Sequence, residues 1–249
     1  MHRHLRATAS LAAVLILSIS SSLTHAQVRV LVYGDSNTWG WKPTKEGNPT
    51  PRYADTERWP GVMQSALGQE YAVEVNGLIA RTLGVDLPEG LGALTGQDHN
   101  GRRRLDLALM QAAPVHFTVI MLGTNDMIDG LKQTPAQVAK GLEALVKKAK
   151  AGAASQGSAN APKLLFVIPP PLGDTKGGPF ESSFSPRAIQ KSRALPEAIK
   201  KEAARLDVPA LDAGQVVAIE GVDGVHLTLA AHETLGKAVA AEVAKLLAL

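Results

Sequence analysis

Short runs of β-branched residues alternate along this chain with longer segments of helical periodicity, and this pattern is the strongest constraint on its fold. The strand-like runs lie at residues 28–33, 71–76, 117–122, 163–168 and 208–211. Neighbouring parallel strands need a long crossover connection, usually a helix. The alternation therefore predicts a parallel sheet with helices on both faces.

Five strands predict an α/β fold, a three-layer α/β/α sandwich with a five-stranded parallel sheet of the flavodoxin-like kind. Thr134 and Ser185 each precede a proline, which marks the starts of two helices because a capping hydroxyl and a proline suit the first helical positions. A last helix is predicted to begin near Thr228. Residues 151–161, rich in Ala, Gly and Ser, are predicted to form a helix-to-strand loop and not a linker between domains.

Residues 1–26 have the features of a secretory signal peptide. A basic start precedes an apolar run at residues 11–19, and a small-residue cleavage pattern ends at Ala26. This predicts export to the periplasm or the extracellular space, with residues 27–249 as one mature domain; a retained anchor is the alternative. No later segment is long and apolar enough to cross a membrane, so no membrane association is predicted after removal of the signal.

The charge and the cysteine content exclude several function classes. The formal charge is +3, and removing the signal takes away two arginines and no acidic residue, which leaves +1. The basic run at residues 102–104 is predicted to be the solvated start of a helix, so nucleic acid is not an expected partner. Cysteine is absent, which excludes disulfides, a thiol nucleophile and thiolate metal ligands.

Three segments are too long to be simple connections: residues 40–57, 77–101 and 169–184. Each follows the carboxyl end of a predicted strand, which is the edge of a parallel sheet where ligand sites lie. We expect these three loops to form the walls of a pocket.

The predicted site is built from weak signals at the same edge. Ser36 follows the first strand, where backbone N–H groups at the start of a helix could stabilise an oxyanion, although Asp35-Ser36 also fits a simple turn and helix cap. Asn125 follows the third strand and could donate its amide hydrogens to an oxyanion, or could belong to a turn.

Asp223 and His226 are three residues apart, a spacing that lets a carboxylate meet and orient an imidazole on one face of a turn. The second ring nitrogen of the histidine would then take the proton of Ser36. His99 lies in a long loop and is the second choice for this base.

The other histidines are less suited to catalysis. His116 opens a strand and is predicted to be packed, and His232 lies within the last helix. No His-Glu-x-x-His motif or comparable cluster is present, so no metal site is predicted.

Four motifs follow one another in the order and at the intervals of the SGNH (GDSL-type) hydrolases, which this sequence resembles: Gly34-Asp35-Ser36, Gly77, Gly123-Thr124-Asn125-Asp126 and Asp223-Gly224-Val225-His226. The strings GDSNTWGW at residues 34–41, NGLIART at residues 76–82 and DAG at residues 212–214 look like the arylesterase and acyltransferase branch of that family. The resemblance covers nearly the whole mature chain.

The resemblance implies that Ser36 is the nucleophile, His226 the general base and Asp223 its orienting partner. It implies an oxyanion hole made by the backbone N–H groups of Ser36 and Gly77 and by the side-chain amide of Asn125. No metal and no cofactor are implied.

Asn37 departs from the family pattern, which has leucine after the nucleophile, and this bears on the subfamily more than on the chemistry. Trp39, Trp41 and Ile79 are candidate pocket residues, although the two tryptophans fit a subunit contact equally well. The related branch forms oligomers, so a homo-oligomer is expected.

The predicted function is that of a secreted serine esterase acting on small-acyl esters, with water or an alcohol as the acceptor. Three alternatives stay open: an acyltransferase working in water, a carbohydrate deacetylase, and a noncatalytic binding module on the same scaffold.

Overall fold

The computed structural model describes residues 27–48, 51–88, 98–154 and 163–248. Within them five strands form one parallel sheet in the order β2-β1-β3-β4-β5, as the alternating pattern predicted. The strands are β1 (Val28–Gly34), β2 (Tyr71–Gly77), β3 (Phe117–Met121), β4 (Lys163–Ile168) and β5 (Ala210–Asp212).

The fifth strand begins two residues later than the sequence pattern predicted. Proline has no N–H to donate to a ladder, so Pro209 cannot pair as a strand residue on that side. Its carbonyl oxygen accepts from Phe166 N–H at 3.0 Å, and paired residues begin at Ala210.

Helices cover both faces of the sheet, which gives the predicted three-layer sandwich. Three of them, α3, α4 and α5, pack on one face, and α2 packs beside α6 on the other. The helices are α1 (Ser36–Trp39), α2 (Trp59–Leu67), α3 (Gly101–Ala112), α4 (Pro135–Ala154), α5 (Pro186–Arg205) and α6 (Leu229–Ala248).

The predicted helix starts are confirmed, but the loop predicted at residues 151–161 begins too early. Ser185 Oγ accepts from Arg187 N–H at 3.2 Å, and Thr134 Oγ1 accepts from Gln137 N–H at 3.3 Å. Helix α4 continues to Ala154 because alanine is a strong helix former. The rest of that loop lies outside the described residues.

The strand ends are aligned at one edge of the sheet. Gly34 lies opposite Gly77 on one side and Met121 on the other, so the chain leaves β1, β2 and β3 at the same level. The chain passes from β1 to β2 on one side of the sheet and from β3 to β4 on the other. The direction of the strand order therefore reverses between β1 and β3, and ligands of parallel sheets bind at such a reversal. A Cβ at Gly77 would lie 2.5 Å from Trp39 N, so glycine there lets α1 pack against the end of β2.

None of the described helices is long and apolar enough to cross a bilayer. The predicted signal peptide at residues 1–26 lies outside the described residues, and export stays a prediction.

Candidate active site

Ser36 is the first residue of α1, a helix of only one turn. Asp35 is its cap, since Asp35 Oδ1 accepts from Asn37 N–H at 3.0 Å, and Gly40 ends the helix with a left-handed φ of 101°. The turn-and-cap interpretation of Asp35-Ser36 is therefore correct as local structure. With one turn the helix dipole is small, and what α1 offers is the N–H of Ser36, which has no partner within the helix.

A continuous hydrogen-bond chain joins Ser36 to a buried carboxylate. Ser36 Oγ lies 2.9 Å from His226 Nε2, and His226 Nδ1 lies 2.8 Å from Asp223 Oδ2. The other carboxylate oxygen of Asp223 accepts from the N–H groups of Val225 and His226, both at 2.9 Å. Gly224 makes this turn possible with a φ of 72°.

Asn37 fastens this turn to α1. Its Nδ2 donates to Val225 O at 3.2 Å, and its Oδ1 accepts from Leu227 N–H at 2.9 Å. These two backbone groups flank His226 in the chain. The residue that departs from the family pattern therefore holds the backbone on both sides of the imidazole.

Two aromatic rings enclose the imidazole. The Trp41 ring stacks on His226 with centroids 4.8 Å apart and an interplanar angle of 14°, and Phe180 meets it edge-on at 5.4 Å. His226 is 3% exposed. The imidazole is thus buried against two aromatic rings, with its Nε2 next to Ser36 Oγ.

On the other side of Ser36 lie Asn125 and the loop after β2. Asn125 Nδ2 donates to Arg81 O at 3.0 Å, and an amide nitrogen has a second hydrogen to offer. Ala80, the residue before Arg81, has a left-handed φ of 57°, an uncommon conformation for a residue with a Cβ.

A cavity of about 100 Å³ opens beside the serine hydroxyl. All three long loops contribute to its walls, as the sequence predicted. The lining residues are Ser36, Trp41, Asn48, Ile79, Ala80, Asn125, Ile128, Phe180, Ser183, Phe184, Val225 and His226.

The predicted residues therefore divide into two groups. Trp41 and Ile79 line the cavity, whereas Trp39 and Gly77 are outside the lining set. Trp39 contacts Trp41 at 6.4 Å between ring centroids and lies under the Arg52 guanidinium at 4.8 Å. Gly77 packs against the backbone of α1, and the chain reaches the cavity at Ile79 and Ala80, two and three residues farther on.

Comparison with known proteins identifies the family of this chain. The GDSL-like lipase/acylhydrolase family model matches residues 32–234. The chain belongs to this family. None of the curated proteins compared with this acylhydrolase matches it.

Solved structures extend the match over nearly all of each neighbour. The native M. smegmatis aryl esterase is 38% identical with a TM-score of 0.81, covering 88% of this chain and 99% of that one. Est24, a carbohydrate acetylesterase from Sinorhizobium meliloti, has the same identity and TM-score, covering 88% of this chain and 100% of its own. Another carbohydrate acetylesterase family member from S. meliloti is 33% identical, with a TM-score of 0.80 and coverage of 89% and 99%.

The electrostatics of the acylhydrolase site favour a neutral His226 imidazole. Burial lowers the pKa of His226 below its ordinary 6.5, and the adjacent Asp223 only partly opposes this. Burial would raise the pKa of Asp223, but the hydrogen bond and charge of His226 and two backbone N–H groups outweigh it and hold that pKa below its usual value. At neutral pH the pair is therefore a carboxylate beside a neutral imidazole.

The two aspartates of the flanking motifs differ from Asp223. Burial raises the pKa of Asp35 to about 7 and that of Asp126 to about 6. Asp126 accepts from Leu83 N–H at 2.7 Å and so supports the loop that carries Ala80.

The remaining histidines make other contacts. His99 Nδ1 lies 2.9 Å from Ile79 O, and His232 Nδ1 accepts from Trp59 N–H at 3.2 Å. Burial lowers the pKa of His232 to about 3. His116 is exposed, contrary to prediction, because it precedes β3 at the sheet end, where its Nδ1 accepts from Arg29 N–H at 2.9 Å.

Within the described ranges, no group of three or more His, Asp or Glu side chains is arranged to hold a metal ion.

Three residues at this site escaped sequence reasoning: Ala80, Arg81 and Asn37. Ala80 lies inside the quoted string NGLIART, but nothing in a sequence marks a left-handed alanine. Asn37 makes its two hydrogen bonds to Val225 and Leu227, which follow it in the chain by 188 and 190 positions. No local sequence pattern could reveal contacts over such a separation.

Proposed function

We propose that this acylhydrolase is a serine esterase of small-acyl carboxylic esters. The observation that carries the proposal is the hydrogen-bond chain from Asp223 through His226 to Ser36, which ends at a cavity containing an amide donor. A neutral imidazole held by a carboxylate can accept the serine proton, which activates a hydroxyl that is otherwise a weak nucleophile.

In the first step Ser36 Oγ attacks the ester carbonyl carbon and its proton passes to His226 Nε2. Asp223 stabilises the imidazolium that forms. The tetrahedral intermediate collapses, the alcohol leaves with the proton from His226, and the acyl group stays on Ser36. Water then attacks the carbonyl carbon of the acyl-enzyme and gives its proton to His226. The second tetrahedral intermediate collapses, His226 returns the proton to Ser36 Oγ, and the acid is released.

The oxyanion donors in this proposal are the N–H groups of Ser36 and Ala80 and the second amide hydrogen of Asn125. Ala80 replaces Gly77, which the resemblance implied, because Ala80 lines the cavity and Gly77 packs against α1. Asn125 donates to the carbonyl of the residue after Ala80, which keeps the amide next to that backbone. Donors fixed before the reaction stabilise the developing charge without reorganisation.

The cavity supports a small acyl group. Its volume of about 100 Å³ is below the roughly 300–1,000 Å³ of pockets for drug-sized ligands. Phe180, Phe184 and Ile128 form apolar walls of this small volume. Acetyl esters should therefore react fastest.

A p-nitrophenyl ester series from acetate to octanoate tests this proposal. We expect kcat/KM to fall with chain length, and Ser36→Ala to lose at least about 10⁴-fold in kcat. Circular dichroism would show that the variant is folded. An active Ser36→Ala variant would overturn the serine mechanism, and a preference for octanoate would overturn the small-acyl assignment.

Acyl transfer to an alcohol is a second candidate, and the aromatic enclosure of His226 favours it. Trp41 and Phe180 leave an apolar approach to the acyl-enzyme, which suits an alcohol better than water. With vinyl acetate and benzyl alcohol in water, the ratio of benzyl acetate to acetic acid measures this activity. A ratio no higher than the uncatalysed background would exclude it.

Carbohydrate deacetylation is a third candidate, and the 38% identity to Est24 supports it. Release of acetate from acetylated xylan, compared with phenyl acetate at equal ester concentration, distinguishes a carbohydrate ester from an aryl ester as the preferred substrate.

A further inference from the structure

Arg81 lies behind the active site with 4% of its surface exposed. A buried cation requires compensating partners, because removal of the charge from water is costly. Arg81 has no carboxylate in direct contact among the ion pairs of the described residues. Its compensation comes from hydrogen-bond acceptors and an aromatic ring.

The guanidinium binds the ends of two strands. Nη1 donates to Gly34 O at 2.8 Å and to Asn76 O at 2.6 Å, and Nη2 donates to Asn76 Oδ1 at 2.8 Å. The flat face of the group lies 4.0 Å from the centroid of the Tyr33 ring. Gly34 is two residues before Ser36, so this side chain fixes the nucleophile's strand relative to β2.

The backbone of the same residue carries the oxyanion side of the site. Arg81 O accepts from Asn125 Nδ2 at 3.0 Å, and Arg81 follows Ala80, whose N–H is a proposed donor. A tight turn precedes them, since Arg81 N–H donates to Leu78 O at 3.2 Å. Any movement of the Arg81 side chain is therefore transmitted to both donors through one residue.

We propose that Arg81 is a positioning residue that aligns the oxyanion donors of Ala80 and Asn125 with the hydroxyl of Ser36. This inference rests on the proposed esterase function. A misplacement of about 1 Å in a catalytic group can cost on the order of 100-fold in rate. Arg81 thus acts through these donors and does not touch the substrate.

The alternative is that Arg81 only stabilises the sheet edge, and Gln64 provides the matched control. Gln64 also binds three backbone groups near β2: its Nε2 donates to Gly68 O and Tyr71 O, and its Oε1 accepts from Val73 N–H at 2.8 Å. It is outside the cavity lining. Gln64→Met removes as many hydrogen bonds from the amino-terminal part of the same strand, β2, without touching the donors.

The experiment compares wild type, Ser36→Ala, Arg81→Met and Gln64→Met with p-nitrophenyl acetate, and records the melting temperature of each. We expect Arg81→Met to lower kcat about 100-fold with KM changed less than about threefold. Gln64→Met should lower the melting temperature but keep kcat within about twofold. Equal kcat in folded Arg81→Met and wild type would overturn the inference. An active Ser36→Ala would instead overturn the esterase proposal, so the two failures are distinguishable.

A double-mutant cycle tests the route of the effect. If Arg81 acts through the Asn125 amide, Arg81→Met combined with Asn125→Ala should be within about tenfold of Asn125→Ala alone. If the kcat loss of the double variant equals the product of the two single losses, Arg81 and Asn125 act independently, and the inference is overturned.

Arg81→Lys is the variant to use if Arg81→Met does not fold, because lysine keeps the charge but cannot reach all three acceptors as a planar fork. Phenylboronic acid forms a tetrahedral adduct on the serine. Arg81→Lys should lower the affinity for this adduct in proportion to the loss in kcat of the same variant. Unchanged boronate affinity together with reduced kcat would contradict a role in the oxyanion site.

Discussion

The two sides of Ser36 are built in different ways. The base side, which holds the proposed general base, is contained in four consecutive residues, in which Asp223 accepts hydrogen bonds from the ring and backbone of His226 and from Val225 N–H. The oxyanion side, which holds the proposed oxyanion donors, brings together Ser36, Ala80 and Asn125 from the ends of three strands. The hydrogen bonds between Asp223 and His226 lie within one local turn. The oxyanion side, by contrast, exists only when the sheet is assembled.

One buried polar side chain attaches each side to the nucleophile. Asn37 connects α1 with the turn that carries His226, and Arg81 connects the end of β1 with the loop that carries Ala80. We therefore expect changes on the base side to affect proton transfer and its pH dependence. Changes on the oxyanion side should lower kcat without a change in the pH profile.

The largest effect should come from breaking the base side at its carboxylate. Asp223→Asn removes the acceptor that fixes the tautomer of His226, and we expect kcat to fall about 10⁴-fold. Stopped-flow and steady-state hydrolysis of p-nitrophenyl acetate measure this loss. His116→Gln, at an exposed histidine remote from the cavity, should keep full activity, and a comparable loss in both variants would contradict the assignment.

Breaking the oxyanion side at one donor should cost less. Asn125→Ala removes an amide hydrogen from the oxyanion, and we expect kcat to fall about 100- to 1,000-fold with the pH profile unchanged. The profile of kcat from pH 4 to 9 checks both parts. Near-full turnover in a folded variant would show that Asn125 is not a donor.

Asn37 tests whether the clamp on the base side matters for catalysis. Asn37→Leu introduces the residue typical of the family and removes the hydrogen bonds to Val225 O and Leu227 N–H. We expect kcat to fall about tenfold, since the imidazole is less well held. Amide hydrogen exchange at Leu227 should become faster, and unchanged exchange together with unchanged kcat would mean that the clamp is dispensable.

The pH dependence should distinguish the aromatic enclosure from the hydrogen bonds. In the proposed mechanism His226 acts as the neutral base, and burial holds its pKa below 6.5, so activity should persist below pH 6.5 and be lost as the pH falls through that lower pKa. Trp41→Ala admits water to the ring, so the acid limb of kcat/KM should move up toward 6.5, whereas Trp41→Phe should move it less. A limb that stays in place in Trp41→Ala would show that Trp41 does not cause the shift.

The smallest effect on activity is expected at Asp35, whose cap function asparagine can keep. The pKa of Asp35 is raised from 3.8 to about 7 in the folded protein. A raised folded-state pKa means that stability is fully present below 3.8 and declines as pH rises to about 7, by up to about 1.4 kcal/mol per pH unit. Asp35→Asn lacks this decline, so its free energy of unfolding relative to wild type should increase between pH 4 and 7. Urea denaturation measures the difference, and a constant difference would contradict the raised pKa.

The sequence alone determined the layers of the fold, because hydrophobic periodicity and helix caps are local signals. The predicted bounds of the strands lie within one residue of the observed ones, except at β5. There Pro209 cannot donate a hydrogen bond to the neighbouring strand, so the paired residues begin at Ala210. The approach of Asp223 to His226 was also predictable, since a spacing of three residues in a turn restricts where both side chains can lie.

Only the tertiary structure indicated the residues that we propose as oxyanion donors. Sequence reasoning selected Gly77 and gave no role to Ala80 or Arg81, because a close approach between α1 and β2 and a left-handed alanine depend on contacts between distant segments. The same applies to Asn37 and to the raised pKa of Asp35, which follows from complete burial. A hydrogen bond between residues close in the chain can be recognised from their spacing in the sequence. Burial and long-range contacts cannot, because they arise only when the strands assemble into the sheet.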